Sequence, residues 1–310
     1  IHAKARGKEF SAPIPGNEND ENYEGGRAPE LQLHLKNEVF PLIDSLYTRT
    51  LPFRTLIGHS SGGTFVLYTL FSEQKDLFDA YIAISPGIRS DSEYVIDNAA
   101  KVLEAGEKFP KFLYCSSGTV GEREFLFGNA VSRLDSIINS HPDHQLIWHK
   151  STFEGTGHWT CVSPSFNTAM IELTRTFRVD EQQFFEFSED ESLSMITQLD
   201  NFYANVNDQY GFSDIPLPYY IDQAARWIAD NGRYQAALET YDWALTHYLN
   251  HYRLTKAKAK VLLRTDRNEE TLATLRTCLV LIENEKEKHD EEWYQNQQEY
   301  LNEKIAKVSK

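Results

Sequence analysis

Phe53-Arg54-Thr55-Leu56-Ile57-Gly58-His59-Ser60-Ser61-Gly62-Gly63 is the stretch that decides how this chain folds. Its first five residues have strand character and run straight into G-x-S-x-G. Thr64-Phe65-Val66-Leu67-Tyr68-Thr69-Leu70-Phe71 then continues as an apolar helical run. Strand, G-x-S-x-G, helix is the pattern of a nucleophile elbow. The chain must reverse within about one residue, which puts the serine at strained φ/ψ. Side chains at the flanking positions would collide with the adjoining strand and helix, so small residues are needed there. Ser60 is the candidate nucleophile. A tight turn that merely contains serine is the plainer reading of a bare G-x-S-x-G, and the flanking strand and helix argue against it.

A serine hydroxyl is a poor nucleophile and needs a base, usually a histidine held by a carboxylate. In an α/β-hydrolase the chain order is Ser, Asp/Glu, His. Of the ten histidines, His2, His34 and His59 precede Ser60, while His141, His144 and His149 flank or lie in an alternating segment over 145–150. His158 sits after that segment in Phe153-Glu154-Gly155-Thr156-Gly157-His158-Trp159, ahead of a helix expected over 165–177. A last strand delivers its histidine from such a loop, so His158 is the candidate base. His247, His251 and His289 fall in a separate helical region. No carboxylate or cysteine spacing turns the 141–149 histidines into a metal site, and surface histidines are the simpler account.

The acid is less determined. Lys111-Phe112-Leu113-Tyr114-Cys115-Ser116 reads as a strand, and Ser117-Gly118-Thr119-Val120-Gly121-Glu122-Arg123-Glu124 as the loop after it, with a helix over about 125–140. An acid there would lie beside the His158 loop. Glu122, still in the glycine-rich turn, is preferred. Glu124 is the alternative and reads as a first-turn residue favoured by the helix dipole. Either carboxylate could simply be solvated, leaving a Ser–His dyad.

Several ordered motifs over residues 1–177 resemble the putative esterase family of α/β-hydrolases, the esterase D and enterochelin esterase group, nearest its siderophore-esterase-like serine hydrolases. Arg6-Gly7-Lys8-Glu9-Phe10-Ser11-Ala12-Pro13 resembles the family's R-x-R-D-[LY]-T-P segment. Gly25-Gly26-Arg27-Ala28, the helix after it and Glu38-Val39-Phe40-Pro41-Leu42-Ile43 resemble a G-G-A turn and an E-L-x-P-x-I pattern. Leu77-Phe78-Asp79-Ala80-Tyr81-Ile82-Ala83-Ile84-Ser85-Pro86 continues the match to His158. Ser61 replaces an apolar family residue, and Gly87-Ile88-Arg89 stands where relatives carry a small aromatic cluster. The resemblance implies hydrolysis of esters or thioesters, with siderophore lactones, acylated sugars and feruloyl esters all open, and no cofactor. One oxyanion donor is the backbone N–H of Ser61, which follows the nucleophile. The family carries further strands and the second oxyanion loop ahead of the segment that begins at Ile1, so these are expected upstream of it.

A chain of 310 residues suggests two domains. Strands near 53–57, 80–84, 111–116 and 145–150 alternate with helices, so residues 1–180 are assigned to an α/β domain with a parallel sheet. Residues 181–219 read as an acidic linker, and 220–310 as an all-α region. There Ala225, Ile228, Gly232, Tyr234, Ala237, Tyr241 and Ala244 fall at spacings like those of a tetratricopeptide unit. Trp227, Tyr234, Tyr241 and Trp243 are its expected buried aromatics. A plain helical hairpin is the simpler alternative. A net charge of −15 argues against a nucleic-acid partner. No run of about 18 apolar residues offers a membrane span. Three cysteines, Cys115, Cys161 and Cys278, make neither a disulfide framework nor a zinc motif. The reading is a serine carboxylic-ester hydrolase acting on a small-molecule ester. Acyl transfer on the same fold is one alternative. A non-catalytic interaction protein, a truncated hydrolase using its C-terminal helices for a protein partner or self-association, is another. The compartment, cytoplasm or periplasm, is left open.

Overall fold

Parallel pairing of four short strands organises the first half of the chain. The computed structural model describes residues 6–14, 26–47, 53–88, 93–211 and 215–309. Gly25 and Arg89, used in the sequence reading, lie outside them. Strands β1 (Thr55–Ser60), β2 (Ala80–Pro86), β3 (Phe112–Gly118) and β4 (Ile147–Phe153) lie side by side in chain order. One row of the register runs Gly58, Ala83, Cys115, Lys150. β2 and β3 are buried along their whole length. That fits their near-continuous apolar sequence, because central parallel strands have no wet face. β1 and β4 are only partly covered.

Short helix α1 (Arg6–Glu9) precedes a helical run made of α2 (Ala28–His34), a π turn at Leu35–Val39 and α3 (Phe40–Tyr47). Pro41 accounts for the π turn: it donates no N–H and its ring crowds the carbonyl one turn back. Helix α4 (Ser61–Leu70) follows β1 and packs on β1 and β2. Next come α5 (Tyr94–Glu104) and α6 (Glu122–Asn139), which packs on β2 and β3. Leu67, Leu70, Tyr81, Ile96, Leu113 and Leu134 anchor the core between them, each fully buried. Burying one such side chain contributes about 1.5–3 kcal/mol. Helix α7 (Val162–Arg175) closes this half.

The chain divides into two units, residues 1–174 with 209–211, and residues 175–208 with 212–310. The expected linker over 181–219 is corrected by the structure. It contains α8 (Glu181–Glu189) and α9 (Met195–Tyr210), and Phe184, Leu199 and Tyr203 from them enter the core of the second unit. The acidic composition concealed caps. Asp180 accepts from the Gln183 N–H while the Gln183 side chain accepts from the Asp180 N–H, a capping box. Ser194 caps α9 through the Thr197 N–H.

Helices α10 (Pro218–Asp230), α11 (Tyr234–His247), α12 (Tyr252–Leu262), α13 (Asn268–Leu281) and α14 (Glu291–Val308) each pack on the next. Ala225, Ile228, Ala237, Tyr241 and Ala244 are fully buried. Trp243 is buried and donates its indole N–H to Asp200. Trp227 is 37 % exposed and stacks on Phe185 instead. Among the described residues no helix is long and apolar enough to cross a membrane.

Candidate active site

Because all four strands are parallel, their C-terminal ends share one edge, where open α/β sheets place their ligands. Ser60 ends β1 there. Its backbone sits at φ 59°, ψ −124°. A non-glycine residue with positive φ stores of the order of 1–3 kcal/mol of strain, which the surrounding packing must sustain. Gly58 shows why the turn is so tight: a Cβ there would lie 2.1 Å from the Gly62 carbonyl oxygen. Ser61 opens α4, so its N–H lies in the first turn, where donors have no intrahelical acceptor.

His158 lies in the loop between β4 and α7, and Glu124 in the first turn of α6. Two loops have to meet for these to touch. The Thr156 carbonyl accepts from the N–H groups of both Thr119 (2.9 Å) and Val120 (3.0 Å), and the Gly155 N–H donates to the Thr119 hydroxyl. The approach is so close that a Cβ on Gly118 would stand 2.3 Å from the Thr156 oxygen.

At this junction His158 Nδ1 is 2.7 Å from Glu124 Oε1. The Glu124 side chain is fully buried and that of His158 is 8 % exposed. Glu124 Oε1 also accepts from the Ser85 hydroxyl at 2.6 Å, and Oε2 from the Gly118 N–H at 2.6 Å. Burial opposes ionisation of this carboxyl and is the largest single influence. The hydrogen bonds from Ser85, Gly118 and His158 together outweigh it, so its pKa falls below the ordinary 4.5. An ionised carboxylate can only accept, which assigns the proton to Nδ1 and leaves Nε2 free as a base.

The preferred acid of the sequence reading is corrected here. Glu122 is exposed at the start of α6, and Glu124 makes the contact with His158. Ser85 was missed as a site residue. It is fully buried at the end of β2, with φ 40°, and its oxygen lies 3.0 Å from His158 Nδ1 as well as bonding Glu124. Its one sequence signal is a polar residue closing an otherwise apolar strand.

His59, beside Ser60 in sequence, ties the base to the elbow. Its Nε2 lies 2.8 Å from the His158 carbonyl oxygen, and the two rings are 4.4 Å apart. Phe127 meets the His158 ring edge-on, and Trp159, 69 % exposed, borders it towards solvent. The Cys161 thiol is held up at about 11, by burial and by the Glu124 charge, so it is no nucleophile near neutrality. Among the described residues no group of three His, Cys, Asp or Glu side chains could hold a metal ion.

A family model described as putative esterase matches residues 4–172, more than half of the chain, and the chain belongs to that family. Among solved structures, an uncharacterised protein from Capnocytophaga ochracea is similar at 14% identity and TM-score 0.58, over 89% of this chain and 74% of that one. An IroE-like serine hydrolase from Shewanella oneidensis is similar at 17% identity and TM-score 0.57, over 80% and 78%. A siderophore hydrolase, EstB from Aspergillus nidulans, matches at 22% identity and TM-score 0.47 over 55% of this chain, which spans 64% of that protein's length. At these identities the likeness is one of fold. No curated protein matches the chain.

Proposed function

We propose that this member of the putative esterase family is a serine hydrolase that cleaves carboxylic esters or thioesters through an acyl-enzyme. The observation that carries the reading is the buried Glu124–His158 pair, tied by His59 to a serine at strained positive φ. Ser60 Oγ attacks the acyl carbonyl while His158 Nε2 takes its proton. Glu124 holds the Nδ1–H and stabilises the imidazolium that forms. The Ser61 N–H, at the positive end of α4, faces the developing oxyanion. His158 then returns the proton to the leaving alcohol or thiol, and water repeats the sequence to release the acid.

The siderophore hydrolase and the serine hydrolase among the fold relatives make an oligoester or lactone the first substrate class to try. The test is labelling by a fluorophosphonate probe followed by peptide mapping. Modification is expected at Ser60 and is expected to disappear in His158→Ala. Labelling elsewhere, or no labelling of folded protein, would reject the assignment.

A further inference from the structure

The second unit contains a groove of about 470 Å³ whose lining comes from α10, α12, Arg264 just after α12, and α14. Its size is that of a ligand site. What sets it apart is the charge it faces with. Arg226 is bonded to Asp222, and Arg264 to Asp230 at 2.7 Å, so two of its five cations are neutralised within the fold. Arg253, Lys256 and Lys260 are not: among the described residues none of them has a carboxylate within 4.0 Å. All three stand on one face of α12, at i, i+3 and i+7. Lys258, on another face, pairs with Asp242 at 2.6 Å and Glu270 at 3.2 Å. The helix therefore turns its paired lysine away and its unpaired cations into the groove.

Lys256 is half-buried and bonds the Gln297 amide oxygen, with its ammonium 4.9 Å from the Tyr300 ring. Burial, and then the charge of Lys260, pull its pKa below the ordinary 10.5. A desolvated ammonium without a counter-ion is costly, and an arriving anion would relieve it. Half-buried Trp293 adds an aromatic surface beside the cations, backed edge-on at 6.0 Å by the buried Tyr252.

We propose that this groove binds an acidic peptide segment of a partner protein in extended form, with carboxylates on the α12 cations and an aromatic or apolar side chain against Trp293. Seven residues of helix put Arg253 and Lys260 about 10 Å apart. Carboxylates on alternate residues of an extended peptide recur every ~7 Å, within reach of long, flexible cationic side chains at that spacing. The chain's own net charge of −15 disfavours a longer polyanion such as a nucleic acid, whereas two or three carboxylates feel the local cations first.

The experiment is fluorescence anisotropy of a fluorescein-labelled hexapeptide of alternating glutamate and tryptophan, titrated with the full chain at low and moderate salt. Saturable binding is expected, weakened by added salt. Arg253→Ala and Lys260→Ala are each expected to weaken it about tenfold. Both side chains are exposed, so unchanged thermal melts should accompany the loss. Ser60→Ala should bind as the parent does. The proposal is overturned by any of four results. These are no saturable binding, equal binding of a glutamine-for-glutamate peptide, full binding by the two cation variants, or tighter binding of an oligothymidylate of equal charge.

Discussion

Replacing Glu124 by glutamine changes one oxygen to an NH2 group at a place that offers three donors and needs only acceptors. Oε1 receives Ser85 at 2.6 Å and faces His158 Nδ1 at 2.7 Å, while Oε2 receives the Gly118 N–H at 2.6 Å. If the amide nitrogen takes the Oε2 position, it faces the Gly118 N–H, donor against donor. Burying such an unmet pair costs about 1–3 kcal/mol. Gly118 cannot retreat, because its loop is bonded to Thr156. If the nitrogen takes the Oε1 position instead, the Ser85 hydroxyl rotates to accept from it and Nδ1 becomes an acceptor. That orientation is comfortable for the fold but puts the imidazole proton on Nε2, where it can no longer accept from Ser60. A serine protease given an amide in place of its triad carboxylate loses about 10⁴ in kcat for this reason. Glu124→Gln should therefore lower p-nitrophenyl acetate turnover by roughly 10³- to 10⁴-fold, about 4–5.5 kcal/mol of barrier, with its melting temperature little changed. Glu122→Gln, on an exposed side chain, should stay within about twofold of the parent. The reasoning fails if folded Glu124→Gln keeps more than a tenth of the activity, or if Glu122→Gln proves the more damaging.

Ser60→Ala should abolish turnover without disturbing the fold, and retained activity would move suspicion to Ser61. Ser85→Ala removes a donor to an ionised carboxylate, a bond of about 1.5–3 kcal/mol, and should slow turnover roughly ten- to a hundredfold at unchanged KM; a rise in KM alone would deny it a positioning role. Gly58→Ala drives a methyl into backbone 2.1 Å away and should cost at least about 3 kcal/mol in urea denaturation. Gly62→Ala meets nothing within 4 Å and should be tolerated, so equal losses at the two positions would mean the elbow is packed differently. Glu124 has a folded pKa below its ordinary 4.5, so its stabilising contribution is complete above about pH 4.5 and is lost as pH falls through the lowered value. Between about pH 5 and 3 the urea midpoint should thus fall more steeply for the parent than for Glu124→Gln, and parallel slopes would contradict the shift.

Much of this architecture was legible because it rests on local rules. All four strands are present, but β1, β3 and β4 begin one or two residues later than read, and every strand ends two or three residues later. The late ends have one cause. The last residues, Ser60, Ser117 and Gly118 among them, look like turn residues, yet parallel pairing carries the strands through them. Helices α8 and α9 were hidden by composition. Acidic residues suggest solvent, but a single Asp beside a Gln three residues on is a start signal whatever the net charge. Ser85 shows only as a polar residue in an apolar strand, and its partners, like the loop junction at Thr156, are not legible. They depend on which loops meet across the sheet edge, and no local pattern encodes that.

The choice between Glu122 and Glu124 was decidable, and the reason is helical phase. Reading Glu122 as part of the glycine-rich turn and Glu124 as a first-turn helix residue favours Glu122. In fact Gly121, at φ 96°, delivers the chain directly into α6, which starts at Glu122. Once both residues are helical, two positions mean a rotation of about 200°, and they must point to opposite sides. Which one points inward follows from the rest of the helix. Phe127, Val131, Leu134 and Ile138 are its buried stripe, at alternating intervals of four and three. Carried back one step, that stripe lands on 124, whereas 122 falls on the solvent face. A carboxylate in phase with a core stripe is costly unless something compensates it. Here the compensation is the imidazole, the Ser85 hydroxyl and the Gly118 N–H. An acid on an apolar face is thus the sequence-level mark of a partnered group, and it would have selected Glu124 without a structure.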